Sequence, residues 1–587
     1  MGPLLYALVM HLVLRATMRS HPDLPMLPAF LDDAQLPGPP RVVASALQTM
    51  VQQGDELAGL RINMDKCEVY APSPDADLGC FPADVRGARG ERLQGLVVLG
   101  RPVGGGEYVR RQVGAMADKA LDVLPALTAL ACPQLAQLAL SYCVRPRVVH
   151  LLRGCEPDLI AEPMRRYHGS IMSSLAGPDA AVMKGPRLDE LAERLLALPP
   201  RFGGAGFTRG DRVSDAAFFA AFALEWSHVL RLFPEVVTAR ALTDAVSGVG
   251  RLGAVKLARE RLQSESDRVQ VMLAEIADDG MLPAGVVRTP VEIPTLDDVR
   301  QGPVKGLQKR LASISATLDS LQLRELAMRG DERTRAWYHS VASPDSVAND
   351  FWRVIPSYQS VQVSPAHFPI AARMHLLQHQ PVLAAIRSCR KCQQEVDQEG
   401  MHFMQCRPRK DMGLGDPFSA VHDALVREVV PALRKVYPGA GVVDVEKQCR
   451  NVKHRPDVTV TNHDGQGGKL LVEVSVIRPM GRDHLGRAAV GEALASHESK
   501  RRADYATLPA GTTMVPFVCD ILGGMGPETA GFVRRLAAVM RDRREVEQAG
   551  APTWEELLKR GVSMVLAKSR ARVLHLRAGA EQEDGRP

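Results

Sequence analysis

The sequence predicts a multidomain α/β protein, on three observations. At 587 residues and 63.8 kDa the chain is too long for a single hydrophobic core. Between about residues 112 and 245, Ala and Leu recur at helical spacing. Beyond residue 411, short β-rich runs separated by turn residues follow a helix and give the order α-β-β-β-α-β-α. A hydrophobic content of 45% beside 24% charged residues is ordinary for globular protein, so core-forming capacity is assured.

The elements follow in chain order. Met1 to Leu14 is an apolar run of helical spacing that ends near Arg19 to Pro22. It lacks a basic leading segment and His11 interrupts it, which argues for a helix and against a signal peptide. No other stretch approaches the roughly 18 apolar residues of a membrane span, and Tyr6 breaks the myristoylation pattern, so the chain reads as soluble. Pro22 and Pro25 precede Met26 to Asp33, read as a short strand and turn. Val43, Ala46, Leu47, Val51 and Leu57 give an amphipathic helix from Pro40 to Gly59, and Leu60 to Asn63 reads as a strand. Residues 93 to 109 read as a strand, a Gly/Pro turn and a helix start. Gly104, Gly105 and Gly106 lack the Lys and Ser/Thr of a phosphate-binding loop, so they mark a plain turn.

Residues 112 to 245 are helical, broken by the Gly-rich loop Pro199 to Phe207, and 246 to 364 form a charged helical connector that includes Leu307 to Arg329. The later α/β order opens with Asp416 as N-cap, Pro417 at the first helical position and apolar residues at 418, 421, 425 and 429. Strands are expected at Val442 to Lys447, Asp457 to Thr461 and Leu470 to Ile477, the last two joined by the hairpin Asn462 to Gly468. A helix (Ala488 to Leu508), a strand (Thr512 to Leu522) and a helix (Pro527 to Arg541) complete it, with a loose Gly- and acid-rich tail after Ala578.

Lys and Arg exceed Asp and Glu by 73 to 67, for a net charge of +6 and a pI near 8.8, a balance that permits a nucleic-acid partner. Ten cysteines in 587 residues are too sparse for a secreted disulfide scaffold and fit a reducing compartment. Three of them, with one histidine, form Cys389-x2-Cys392-x9-His402-x3-Cys406. Three thiolates and an imidazole complete a tetrahedral zinc set with no open position, which makes the site structural. Arg387, Arg390, Lys391, Arg407, Arg409 and Lys410 would surround it with positive charge suited to phosphate contact.

The second constellation is Arg455-Pro-Asp457, followed across the hairpin by Glu473-Val-Ser475. In period-two strands Glu473 and Ser475 share a face, and a carboxylate there faces Asp457 on the neighbouring strand. Two such carboxylates offer a hard oxygen site for magnesium that can activate water against a phosphodiester. Solvated strand acids are the plainer reading of the same residues, and the plainer one for Glu446 also. His422 falls on the polar side of its helix, suited to surface or phosphate contact, and Asp520, before Gly523 to Gly526, is structural.

Phe30-Leu-Asp-Asp33, flanked by Gly2-Pro-Leu-Leu, Gly59-Leu-Arg-Ile-Asn-Met-Asp-Lys66 and Leu99-Gly-Arg-Pro-Val-Gly104, resembles the ordered motifs B to E of a reverse-transcriptase palm. The Pro-Asp, Glu-x-Ser pattern resembles the restriction-endonuclease-like nucleases, whose usual signature has Lys where Ser475 stands. Lys500 and Tyr505 look like the arrangement in relatives whose lysine lies on the following helix. Taken together, the chain resembles the open reading frame of a non-LTR retrotransposon of the restriction-like-endonuclease type.

That resemblance implies a partial palm (1–111), a helical thumb (112–245), a helical connector (246–364), a zinc-knuckle region (365–410), a restriction-endonuclease-like domain (411–545) and a C-terminal helix and tail (546–587). It further implies RNA and DNA partners, no membrane, a nuclear location, structural zinc and catalytic magnesium. Asp32 and Asp33 would be palm magnesium ligands, Lys66 the motif D lysine, and Cys389, Cys392, His402 and Cys406 zinc ligands. Asp457, Glu473 and Lys500, with Tyr505, would form the DNA-nicking centre. The chain departs from the family in beginning inside motif B, without fingers or the motif A aspartate. The expectation is therefore an N-terminally truncated element with an inactive polymerase and a surviving metal-dependent nicking module. The competing class is a non-enzymatic nucleic-acid-binding relic.

Overall fold

The computed structural model describes residues 2–30, 33–232, 250–276, 282–295, 298–299, 305–357, 359–389, 392–406, 417–438, 443–445, 455–480, 490–542 and 553–583. It is a mixed α/β structure in which helix predominates. No helix among the described residues is long and apolar enough to cross a membrane.

The N-terminal helices Gly2–Ser20 and Pro40–Ala58 pack together through Met10, Val13 and Met50. Gly59 closes the second helix in the left-handed region at φ 60°, its N–H donating to the Asp55 carbonyl. Between them Ala29–Phe30 and Asp33–Ala34 make a two-residue antiparallel pair. The strand expected at Leu60 to Asn63 does not form; the segment runs instead into a 3-10 turn, Met64–Lys66. A strand needs a neighbour to satisfy its backbone, and among the described residues the Ala29–Ala34 hairpin pairs only with itself. Leu60 and Ile62 rest against the two helices. Farther on, Gly95–Val98 and Arg101–Gly104 form a hairpin whose turn residues, Leu99 and Gly100, both have positive φ, the geometry that matches strand twist.

The helices Gly106–Leu121, Pro157–Leu175 and Gly210–Leu232 build the next layer. Phe202 and Phe207 of the Gly-rich loop are buried in the core, and the Arg145 guanidinium donates to the Gly206 carbonyl. Most buried apolar residues from Val109 to Ala578 form one contiguous core, to which the helical region, the connector, the Cys389 to Cys406 loop and the α/β unit all contribute, while Phe219, Leu262 and Leu311 belong to a second core between three helices.

The α/β unit consists of α1 (Pro417–Val436), β1 (Val443–Val445), β2 (Val458–Thr461), β3 (Lys469–Ile477), α2 (Val490–Asp504), β4 (Thr512–Asp520) and α3 (Pro527–Asp542), followed by the long helix α4 (Trp554–Glu583). The sheet order is β4-β3-β2-β1. β1, β2 and β3 run antiparallel in turn, whereas β3 and β4 are parallel and joined by the crossover helix α2. The hairpin between β2 and β3 turns at Asn462, φ 62°, whose side-chain oxygen accepts from the Gly467 N–H at 2.7 Å. β3 lies inside the sheet, with Leu470, Val472 and Val474 in the common core and Leu471 against Tyr505 and Met514 on the other face. The expected loose tail after Ala578 is instead helix as far as Glu583; Ala, Glu and Gln are strong helix formers, and one Gly579 costs only about 1 kcal/mol.

One glycine couples this unit to the connector. Gly523 has φ 120°, and a Cβ there would lie 2.5 Å from the Ala348 Cα; its carbonyl accepts from the Val347 N–H at 2.9 Å. Gly523→Ala is expected to cost about 2–4 kcal/mol through backbone strain and overpacking. A urea titration would show this as a lower midpoint with unchanged slope, and an unmoved midpoint would refute it.

Candidate functional site

Two clusters of chemistry-bearing side chains emerge from this fold. The first is the Cys/His set. Cys389 opens a tight turn in which its N–H donates to the Gln394 carbonyl at 2.8 Å and its carbonyl accepts from the Gln393 N–H at 2.7 Å. The bond from the Gln393 N–H closes the turn that brings Cys392 beside Cys389, and Gln393 itself sits in the left-handed region at φ 59°. His402 lies in the first turn of the helix Met401–Gln405, whose Met401 and His402 N–H groups donate to the Asp397 carboxylate. Arg577, from α4, donates to the Phe403 and Cys406 carbonyls at 2.8 and 3.2 Å, tying down the far end.

The four ligand atoms lie within 4.8 Å of one another. Cys389 Sγ is 3.9 Å from Cys406 Sγ, and Cys392 Sγ is 3.3 Å from His402 Nε2. Tetrahedral zinc with sulfur ligands at about 2.3 Å has edges of about 3.8 Å, so the spacing and the donors fit that ion. Burial and the neighbouring Cys389 push the Cys406 thiol up to about 12, the state expected of crowded thiols that a dication would deprotonate. The cluster can therefore hold a metal ion of zinc type. Arg387 beside it is exposed; Arg390, Lys391, Arg407, Arg409 and Lys410 fall outside the described residues.

The second cluster lies where β2 and β3 meet α1 and α2. Asp457 stands just before β2, with Oδ2 accepting from the Val474 N–H of β3 at 2.7 Å and Oδ1 3.1 Å from His422 Nε2 of α1. Glu473, on β3, accepts from the Tyr505 hydroxyl at 2.8 Å. Arg501 of α2 donates from Nε to the Ser475 hydroxyl at 3.0 Å, and its Nη1 is 4.0 Å from Glu473 Oε1. Burial, and next the Asp457 charge, raise the Glu473 carboxyl above its ordinary range. Burial and the bond to Glu473 raise the Tyr505 phenol, which stays a hydrogen-bond donor. The bond to Asp457, partly offset by burial, pushes His422 up to about 9, so its imidazole is a cation at neutral pH.

Asp457, Glu473 and Tyr505 thus come together, whereas Lys500 is exposed on α2 and the adjoining cation is Arg501. The buried side of α2 accounts for the difference. Leu494, Glu498 and Tyr505 are buried, and a helical stripe through them includes 501 and leaves 500 off it. His422 also belongs to the cluster, although its side of α1 is polar; it adjoins Val421, at the edge of the apolar stripe. Glu446 and Asp416 lie outside the described residues. Asp520 is fully buried, with Oδ1 accepting from the Leu522 and Gly523 N–H groups at 2.8 Å each, a structural role.

The N-terminal candidates are more dispersed. Asp32 lies outside the described residues, Asp33 is exposed at the start of its two-residue strand, and Lys66 is exposed at the end of its turn. Among the described residues, only the Cys389, Cys392, His402 and Cys406 cluster gathers three or more potential metal ligands. A cavity of about 530 Å³ between α1, α3 and α4, lined by Val436, Met540, Trp554 and Met564 among others, adjoins neither cluster. Comparison of the chain with protein-family models and with curated proteins finds no match.

Proposed function

We propose that this chain is a retrotransposon-derived protein of the reverse-transcriptase family whose chemistry is metal-dependent nicking of nuclear DNA, with RNA as its second nucleic-acid partner. The observation that carries the reading is the approach of Asp457 and Glu473 from the β2 and β3 region, inside an α-β-β-β-α-β-α unit, with Tyr505 and Arg501 around them. The reading assigns the chemistry to this cluster and not to the Ala29–Ala34 hairpin, where Asp33 stands exposed.

Asp457 and Glu473 would hold a magnesium ion, which binds through one or two carboxylates and keeps several waters. The donor set suits it: both groups are hard oxygen ligands, and the rise of the Glu473 carboxyl through burial and the Asp457 charge is one that a cation would relieve. When bound, the ion would polarise a phosphoryl oxygen and acidify a water. The protein's own part is orientation. The Val474 N–H fixes one oxygen of Asp457, and the Tyr505 hydroxyl fixes one of Glu473. Hydrolysis joins a water oxygen to phosphorus and breaks the P–O3′ bond. The water gives a proton to solvent and the departing 3′ oxygen takes one, leaving a 3′-hydroxyl and a 5′-phosphate.

A supercoiled plasmid nicked in magnesium and spared in chelator tests this reading. Asp457→Ala is expected to slow nicking by more than about 10²-fold, because even one preorganised donor is worth that much. Undiminished nicking by that variant would remove Asp457 from the chemistry. One observation favours the second reading, a binding relic without catalysis: both Asp457 oxygens already have protein partners, His422 and the Val474 N–H. Salt-sensitive DNA binding without any nicking by the wild-type chain would establish that alternative.

A further inference from the structure

A phosphodiester approaching Asp457 and Glu473 meets two carboxylates, and a cation at their edge is needed to offset that repulsion. Arg501 is the guanidinium in place. Its Nε donates to Ser475 Oγ at 3.0 Å, its Nη1 is 3.4 Å from Asp504 Oδ2, and the same Nη1 is 4.0 Å from Glu473 Oε1. Ser475 is buried in β3, so the hydroxyl that anchors the guanidinium is shielded from solvent. The Arg501 side chain remains 35% exposed, which leaves its outer edge open to a ligand lying across the two strands.

Neighbouring cations are placed differently. One residue along a helix turns the side chain by about 100°, and Lys500 is exposed accordingly. Arg502 is engaged with the Glu528 carboxylate, its Nε 3.2 Å from Oε1.

We propose that Arg501 is a catalytic residue of the nicking centre, donating from its outer guanidinium edge to a non-bridging oxygen of the scissile phosphate, with Ser475 as its positioning residue. This inference rests on the nuclease reading above. The planar group suits that role, since Nε is held by Ser475 and Nη1 by Asp504, which orients Nη2 to donate its N–H groups to a phosphate. Charge that builds on the phosphoryl oxygens in the transition state then meets a donor already oriented for it.

The proposal is tested by single-turnover nicking of a supercoiled plasmid in magnesium, with duplex affinity measured separately in chelator. The variants are Arg501→Ala, Arg501→Lys, Arg502→Ala and Asp457→Ala. Arg501→Ala is expected to lower the nicking rate constant by about 10²–10³-fold while duplex affinity changes by less than about threefold. Arg501→Lys should recover part of the rate, because it restores the charge without the fork. Arg502→Ala should nick as the wild type does. Melting curves for each variant separate lost chemistry from lost fold. Wild-type nicking rates in Arg501→Ala, or a loss accounted for by weaker duplex binding, would overturn the role of Arg501 and leave the nuclease reading standing if Asp457→Ala is inactive. A wild-type chain that never nicks would overturn both.

Discussion

Loss of metal from the Cys389, Cys392, His402 and Cys406 cluster is expected to destabilise the protein by several kcal/mol. Structural zinc in isolated finger peptides contributes about 10–16 kcal/mol of apparent binding free energy, an upper bound here because apolar packing also holds the loop. Cys389, Phe403, Met404 and Cys406 are buried in the common core, so releasing the ligands would disturb packing and not just an appended loop. The purified chain should carry about one zinc by elemental analysis, the stoichiometry of a closed four-ligand site. Cys389→Ser should lose that zinc, and both this variant and chelated wild type should melt at lower temperature. Zinc-free protein that melts unchanged after chelation would show that the cluster has no structural role.

The second large effect concerns two buried charged groups that make no direct ion pair but feel each other's field. Asp520, at the end of β4, and Arg570, on α4, are both fully buried. Arg570 donates to the Leu522 carbonyl at 3.3 Å and lies over the Phe351 ring, while Asp520 caps the Leu522 and Gly523 N–H groups. Removing Asp520 leaves the Leu522 and Gly523 N–H groups unpaired in the interior and takes a carboxylate from the field of the buried Arg570 guanidinium. Asp520→Ala is expected to cost about 3–5 kcal/mol, and adding Arg570→Met to it should recover part of that loss. Additive costs in the double variant would show that the two side chains do not interact.

The same two groups set a pH dependence. Burial raises the Asp520 carboxyl from 3.8 to about 6, and burial lowers Arg570 to about 9. A folded-state carboxyl pKa above the unfolded value means that the folded chain holds the proton more tightly. Its stabilisation is complete below about pH 4 and is lost as pH rises through about 6. Relative to Asp520→Asn, the wild type should therefore become less stable between pH 4 and 6. A flat difference across that window would contradict the shift.

Much of the α/β unit was legible because local signals and global fold agree there. Pro417 sets a helix start, the Asn462 to Gly468 turn sets a register that pairs Thr461 with Lys469, and alternating valines mark buried strands. Ligand spacing alone brought the three cysteines and His402 together. Other features depended on information that sequence periodicity does not hold. Leu60 to Asn63 has strand composition, yet whether a ladder forms depends on a partner that no local pattern specifies. The choice between Lys500 and Arg501 depends on one step of helical rotation, smaller than the uncertainty of a helix boundary read from sequence. His422 faces a carboxylate 35 positions later in the chain, a long-range contact that amphipathicity assigns only to a polar side. The shared core of connector, cysteine loop and sheet was likewise invisible, because an apolar residue carries no label for the neighbour that buries it.

Helix α4 gives these contacts an order in time. Arg570 meets the corner after β4 and Arg577 meets the carbonyls beside Cys406, so one C-terminal helix fastens two places made much earlier in synthesis. A ribosome adding about 5–20 residues per second finishes the sheet and the cysteine loop before that helix emerges. Until residues 554–583 are released, Asp520 lacks its buried counter-charge, and the cysteine loop lacks the Arg577 donors at its final turn. Helix α4 is thus a latch on a nascent chain, closing only after the sheet and the cysteine loop have been made.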